Sequence, residues 1–306
     1  MEPDLSVKIA GIVMKNPIMP ASGTFGFGEE FARLAGFDIS KLGAVATKGT
    51  TLLPREGNSQ PRICETASGA INFIGLQNPG AEAVIEKKIP FLRQFGVPII
   101  VNICGSTIEE YRRLVQRFNG VEGVAGLEIN ISCPNTSKGG MAFGQDPDIT
   151  FAVVGEIRKK TSLPLIVKLT PNITDIVLIA RSAVEAGAGA LSLINTVKAR
   201  AKIKTGPSAG KWIQGGLSGP CIKPIALSMV YAVSQANLGV PIIGMGGIFN
   251  LEDVLDFFEA GAEAVAIGTT NFIDPLIMMK LIEGLKKYLA ENNLADIEEL
   301  KKRLRS

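Results

Sequence analysis

The chain has 306 residues, enough for one large core, with 32 Lys and Arg against 29 Asp and Glu. A net charge of +3 carries no polyanion-binding signature. Histidine is absent, which excludes Ser-His-Asp and Cys-His hydrolases, histidine-ligated zinc and histidine bases, so any general base is Cys, Lys, Asp, Glu or Tyr.

In chain order, Leu5–Met14 alternates around Gly11 and reads as a hairpin that plugs the floor of a larger fold. Eight short apolar runs follow: Ile18–Ser22, Ala44–Lys48, Pro98–Ile103, Gly126–Ile131, Leu165–Leu169, Ala190–Ile194, Pro241–Met245 and Ala264–Ile267. Runs so short and apolar suit strands buried on both faces of a parallel sheet. Between them Ile108–Phe118, Ile149–Thr161, Ile176–Ala186, Ile222–Ala236 and Leu251–Ala260 carry helical spacing. Eight alternating units, with no G-x-G-x-x-G after the first strand, predict an α/β fold. The expected form is a (β/α)8 TIM barrel over residues 1–306 as a single domain, rather than a doubly wound sheet. The segments Glu185–Ala190 and Glu259–Ala264 repeat at matching helix-to-strand joints. Ile282–Arg305 is charged and helical in pattern and is expected outside the core.

The uncharged stretch Pro224–Leu251 is interrupted by Ser234–Asn237, Pro241 and glycines, and reads as helix, turn and strand rather than a membrane span. The N-terminus, Met1-Glu-Pro-Asp4, is not signal-like, so a cytoplasmic, reduced location is expected. Cys64, Cys104, Cys133 and Cys221 show no C-x-x-C spacing, and no metal site is expected.

Barrel enzymes work at the C-terminal ends of their strands. Those ends read Ser22-Gly-Thr24, Lys48, Asn102, Asn130, Lys168, Asn195-Thr196, Gly246-Gly247 and Gly268-Thr269. Singly, each has an ordinary reading as a turn former or a snorkelling lysine. Together, two lysines and three asparagines on one rim define a polar mouth. Glycines after the last two strands free backbone N–H groups for a phosphate, of FMN or of a sugar phosphate. A mouth lysine suits reduced flavin, although Lys168 also suits a Schiff base. Cys133 follows the fourth strand in a loop, Ser132–Pro147, rich in glycine and polar residues. A thiolate beside Lys48 or Lys168 can act as a base near neutral pH. Cys64, Cys104 and Cys221 are expected to be buried and inert.

At these residues the sequence resembles the dihydroorotate dehydrogenases over nearly its whole length. The stretches that carry the resemblance are Asn16–Gly23, Pro54–Asn58, Asn72–Gly80, Glu128–Asn135, Val167–Pro171, Ile194–Thr196, Gly215–Pro220 and Ile243–Gly247. The resemblance implies FMN-dependent oxidation of dihydroorotate to orotate in pyrimidine (UMP) biosynthesis. Cys133 would take the C5 proton while hydride leaves C6. Cysteine there implies class 1, since class 2 uses serine. Substrate would be held by Lys48, Asn72, Gly75, Leu76, Asn130, Asn195 and Thr196. One FMN would be held by Ser22, Lys48, Gly49, Asn102, Asn130, Lys168, Ile194, Gly219, Gly246, Gly247, Gly268 and Thr269.

The segments Gly26–Glu30, Glu65–Gly69 and Gly75–Gly80 are similar to the NAD-linked class 1B, with fumarate-using class 1A the nearer alternative. A dihydropyrimidine dehydrogenase-like flavin barrel stands further off. Class 1B implies a homodimer core joined to a subunit carrying FAD and a 2Fe–2S cluster, giving a heterotetramer, with no nucleic acid or membrane partner. Gly49, Cys64 and Cys104 stand where the family commonly has alanine, and the loop Val197–Gly210, with four Lys and Arg before Gly206, also departs from it.

Overall fold

The computed structural model of the protein describes residues 2–132, 143–203 and 208–306. Its strands begin with β1 (Val7–Ile9), β2 (Ile12–Met14), β3 (Ile18–Pro20), β4 (Val45–Ala46), β5 (Ile63–Thr66), β6 (Gly69–Asn72) and β7 (Ile99–Ile103). They continue with β8 (Val124–Asn130), β9 (Leu165–Lys168), β10 (Ala190–Leu193), β11 (Val197–Lys202), β12 (Trp212–Ser218), β13 (Ile242–Gly244) and β14 (Ala264–Ile267). All eight predicted runs become parallel strands of one sheet, ordered β3-β14-β13-β10-β9-β8-β7-β4. The sheet is a (β/α)8 barrel that is nearly closed. Its two ends meet where the Gly43 N–H donates to the Ile18 carbonyl at 2.9 Å. Only glycine fits at that seam, because a Cβ on residue 43 would stand 2.0 Å from the Asn16 carbonyl oxygen.

Strands β7, β9, β10 and β14 are buried at every residue, the pattern of a parallel sheet covered on both faces. Four of the helices between them start on side-chain caps. Thr107 accepts from the Glu110 N–H, Asp146 from Ile149, Asp175 from Val177, and Asn250 from Asp253 in a reciprocal capping box. The repeated Glu-Ala-Gly-Ala joints explain two of the stops. Ala188 N–H reaches back to the Ala183 carbonyl and Gly187 N–H to Val184; Ala262 and Gly261 do the same to Phe257 and Phe258. Both are Schellman closures on a glycine with φ above 100°.

The predicted hairpin forms as β1–β2, turning through Ala10 and Gly11, both at positive φ. It closes the barrel floor. Cβ atoms on Gly126 and Gly189, near the starts of β8 and β10, would touch Ile12 and Ala10 respectively.

Two expectations are corrected. Ile282–Arg305 is not a helix outside the core. It belongs to two helices, Ile277–Glu291 and Ile297–Arg305, whose Leu285, Leu289, Ile297 and Leu300 are buried. Their apolar stripe joins the core, and most of their charges face outward, with Lys301 the buried exception. Val197–Gly210 is not wholly a loop, because β11 takes its first six residues. It joins an antiparallel sheet, ordered β11-β12-β6-β5, outside the barrel sheet. Within the strands, Glu128 of β8 and Ser192 of β10 are buried polar residues.

Candidate active site

A cavity of about 1250 Å³ opens at the C-terminal ends of the barrel strands. That exceeds an ordinary single-ligand pocket and leaves room for a cofactor with a substrate. Every predicted site residue among the described ones lines it, from Ser22 after β3 to Thr269 after β14. Cys133 lies outside the described residues. Ser132, which precedes it in sequence, lines the cavity. A smaller cavity of about 710 Å³ lies at the barrel floor. Its Glu263 and Glu298 are already paired with Arg305 and Lys301, which leaves little polar capacity for a ligand there.

The barrel supplies a polar base to the mouth. Lys168 ends β9, is 4% exposed, and donates from Nζ to Ser22 Oγ across the barrel at 3.2 Å. Lys48 Nζ reaches the Gly23 carbonyl at 3.4 Å. Burial pulls the Lys48 pKa below the usual lysine range and Arg62 repels its charge further, while Cys104 partly opposes both. Asn102, Asn130 and Asn195 end β7 and β8 and follow β10. Asn102 Nδ2 donates to Glu128 Oε2 at 2.5 Å, and Asn195 Nδ2 to Asn130 Oδ1 at 3.4 Å.

The opposite side of the mouth is a glycine cradle. Gly219, Gly246 and Gly247 have φ of 109°, 128° and 78°. A Cβ on Gly247 would stand 2.9 Å from the Lys223 nitrogen and 3.0 Å from the Gly219 carbonyl oxygen. Beside them Thr269 Oγ1 donates to Ser218 Oγ at 2.8 Å. Lys223 is anchored by Asp253 and Asp256. Burial works against its charge, but the two carboxylates outweigh burial and hold its pKa above the ordinary value.

The antiparallel sheet roofs the cavity. Close approach between β6 and β12 depends on Gly215, where a Cβ would meet the Asn72 carbonyl oxygen at 2.0 Å. On Gly216 a Cβ would meet Thr196 Oγ1 at the same distance. Asn72 Nδ2 then donates to the Gly216 carbonyl at 3.1 Å, which holds that side chain at the cavity wall. Gly75 and Leu76 both take positive φ, and a Cβ on Gly75 would strike the Asn58 backbone nitrogen at 2.8 Å.

Several lining residues were not singled out from the sequence. Asn172 donates to the Thr196 carbonyl at 3.1 Å and accepts from the Lys198 N–H at 2.7 Å, bracing the segment after β10. Its signal was its place just beyond Lys168. Arg55 and Lys198 add positive charge to the wall. Glu128, buried behind the lining against Asn102, was visible as the lone charge inside an apolar run. The cysteine expectations divide. Cys64 and Cys104 are buried, whereas Cys221 is exposed, because it sits in the short helical turn Pro220–Ile222 that directs its side chain outward. Cys104 is no bystander either: its Sγ lies 3.4 Å from both Asn102 Oδ1 and Asn130 Nδ2. Among the described residues there is no cluster of three metal-ligating side chains, and no helix is long and apolar enough to cross a membrane.

Fold and site together define a barrel enzyme with a cationic, amide-lined mouth and a glycine cradle for an anion. The chain belongs to the dihydroorotate dehydrogenase family, whose model matches residues 4–289. It is 52% identical to the dihydroorotate dehydrogenase B (NAD(+)) catalytic subunit of Geotalea daltonii, over 98% of this chain and 97% of that protein. The catalytic subunits of the same name from Thermoanaerobacter pseudethanolicus and Geobacillus kaustophilus are each 50% identical. The first match covers 97% of both chains, the second 96% of this chain and 94% of its relative.

Proposed function

We propose that this chain oxidises dihydroorotate to orotate in pyrimidine biosynthesis, as the NAD-linked catalytic subunit of a two-subunit enzyme. The observation that carries the reading is the convergence of the rim amides, both mouth lysines and the glycine cradle on one cavity. Relatives of matching length named as NAD(+) catalytic subunits favour NAD over fumarate as the final acceptor. "Catalytic subunit" fits a partner chain, which we assign as a carrier of FAD and a 2Fe–2S cluster. A homodimer core bearing two such partners makes a heterotetramer, working in the cytoplasm.

FMN fits the residues present: the cradle of Gly246, Gly247, Gly268 and Thr269 suits its phosphate, and Lys168 suits the electron-rich edge of its ring. FMN supplies the acceptor for the hydride that leaves C6 of dihydroorotate. Cys133 takes the C5 proton as thiolate, and the C5–C6 double bond forms from the electrons left behind. Lys48 holds the substrate carboxylate by charge, while Asn72, Asn130, Asn195 and Thr196 fix the ring by hydrogen bonds. The antiparallel roof excludes water from the ring.

The test is an anaerobic titration of the purified chain. A flavin absorption band that bleaches on addition of dihydroorotate supports the reading. A band that does not respond removes the substrate, and a chain that takes up no FMN removes the function.

A further inference from the structure

The glycine cradle forms where three stretches of chain meet, residues 218–223, 246–250 and 268–270. Side chains tie the three in a triangle. Thr269 Oγ1 donates to Ser218 Oγ at 2.8 Å, Thr270 Oγ1 donates to the Ile248 carbonyl, and Lys223 Nζ donates to Asp253 Oδ1. Asp253 passes the third tie to the loop itself. Its Oδ2 accepts from the Phe249 N–H at 2.6 Å and from the Asn250 N–H at 3.1 Å.

Lys223 stands directly behind the cradle, since a Cβ on Gly247 would meet Lys223 Cβ at 2.7 Å. It opens the helix Lys223–Gln235, where the helix dipole disfavours a cation. Its ammonium is held there by Asp253, which is 6% exposed, and by Asp256 Oδ2 at 2.6 Å. Both carboxylates belong to the helix Leu251–Glu259. Asp253 shapes the loop but brings a charge that opposes any anion in the cradle, and Asp256 adds a second. The Lys223 ammonium cancels one of the two.

We propose that Lys223 is a positioning residue for the cofactor phosphate: it offsets the charge of Asp253 and Asp256 and, through Asp253, holds residues 246–250 against residues 218–223. The inference rests on the reading above, in which the cradle takes the phosphate of FMN. In that reading the ring lies toward Lys168, so the charge behind the cradle acts on the phosphate and not on the ring.

The test is flavin affinity rather than turnover. The holoprotein is stripped of flavin and titrated with FMN and with riboflavin, which lacks the phosphate, and binding is read from flavin fluorescence. Lys223→Met is expected to weaken FMN about tenfold and riboflavin by less than about twofold. Lys223→Arg keeps a cation for both carboxylates and is expected to stay within about twofold of wild type with either flavin. Adding Asp256→Asn to Lys223→Met should recover about threefold of the FMN loss. Equal weakening of FMN and riboflavin marks a merely structural role and overturns the proposal. If Lys223→Met does not fold, Asp256→Asn decides alone. With one carboxylate fewer, FMN should tighten about threefold at low salt while riboflavin stays unchanged, and unchanged FMN overturns the proposal. A wild-type chain that binds FMN no tighter than riboflavin overturns it as well. A wild-type chain that takes up neither flavin overturns the functional reading itself, a result distinct from uptake with indifferent variants.

Discussion

A Cβ placed on Gly49 would stand 3.0 Å from Cys104 Sγ and 3.1 Å from Asn102 Oδ1. The two positions therefore share one volume: the larger group at 104 is matched by the smallest residue at 49. Gly49→Ala should cost about 1–3 kcal/mol by overpacking beside Asn102. The double variant with Cys104→Ala should recover at least about 0.5 kcal/mol of that loss. Urea unfolding of the four proteins in this cycle measures the coupling, and strict additivity would show that the volumes are independent.

Cys133 is assigned the proton abstraction, and a serine hydroxyl is a far weaker base than a thiol near neutral pH. Cys133→Ser should keep its flavin and lose about 100-fold or more in the rate of flavin reduction by dihydroorotate. The loss should be greatest near neutral pH. Stopped-flow reduction of the holoprotein reads the step directly, and a wild-type rate from the variant would displace Cys133 from its role.

The pKa of Lys48 is held below the ordinary lysine value by burial first and Arg62 second. A bound carboxylate favours the charged ammonium and draws that pKa back up. Binding therefore takes up a proton at alkaline pH, and orotate affinity falls as pH rises through the lowered pKa of free Lys48. Calorimetry in two buffers of different ionisation enthalpy counts the proton. Lys48→Met should abolish the uptake and weaken orotate across the range; a flat affinity profile in the wild type would separate Lys48 from the carboxylate.

At the other end of the barrel, Lys301 is 1% exposed and paired with Glu263 and Glu298. Burial alone would raise the Glu263 pKa, but Lys301 and Arg305 outweigh it and hold it below the ordinary value near 4.5. A carboxylate depressed in the folded state contributes stability that is complete above its unfolded pKa and lost as pH falls through the folded one. Glu263→Gln should destabilise the chain by about 1–3 kcal/mol at neutral pH, less than a fully buried pair because Glu298 remains. The gap from wild type should close below about pH 4.5. Urea midpoints at the two pH values test the sign.

The eight strands were legible because each is an apolar run bounded by turn residues, and the caps at Thr107, Asp146, Asp175 and Asn250 are local signals. Strand-end positions followed from the barrel's own geometry, which brought Ser22, Lys48, Asn102, Asn130, Lys168 and Thr269 to one mouth. The antiparallel roof was not legible. Strands β5 and β6 are short, half-exposed and interrupted by turns, so no periodicity marks them.

By itself, the sequence determined the parallel barrel, its floor hairpin and the chemistry offered at the rim, since hydrophobic period and capping act over a few residues. Only the tertiary structure decided who meets whom. Lys168 finds Ser22 146 residues away, and Glu128 finds Ser192 64 residues on. Such pairings depend on strand order and register, which place distant side chains on one interior surface. The pairing of Asn102 with Glu128, the shared volume of Gly49 and Cys104, and the buried charge of Lys301 all come from that closure. None of them leaves a trace in local sequence pattern.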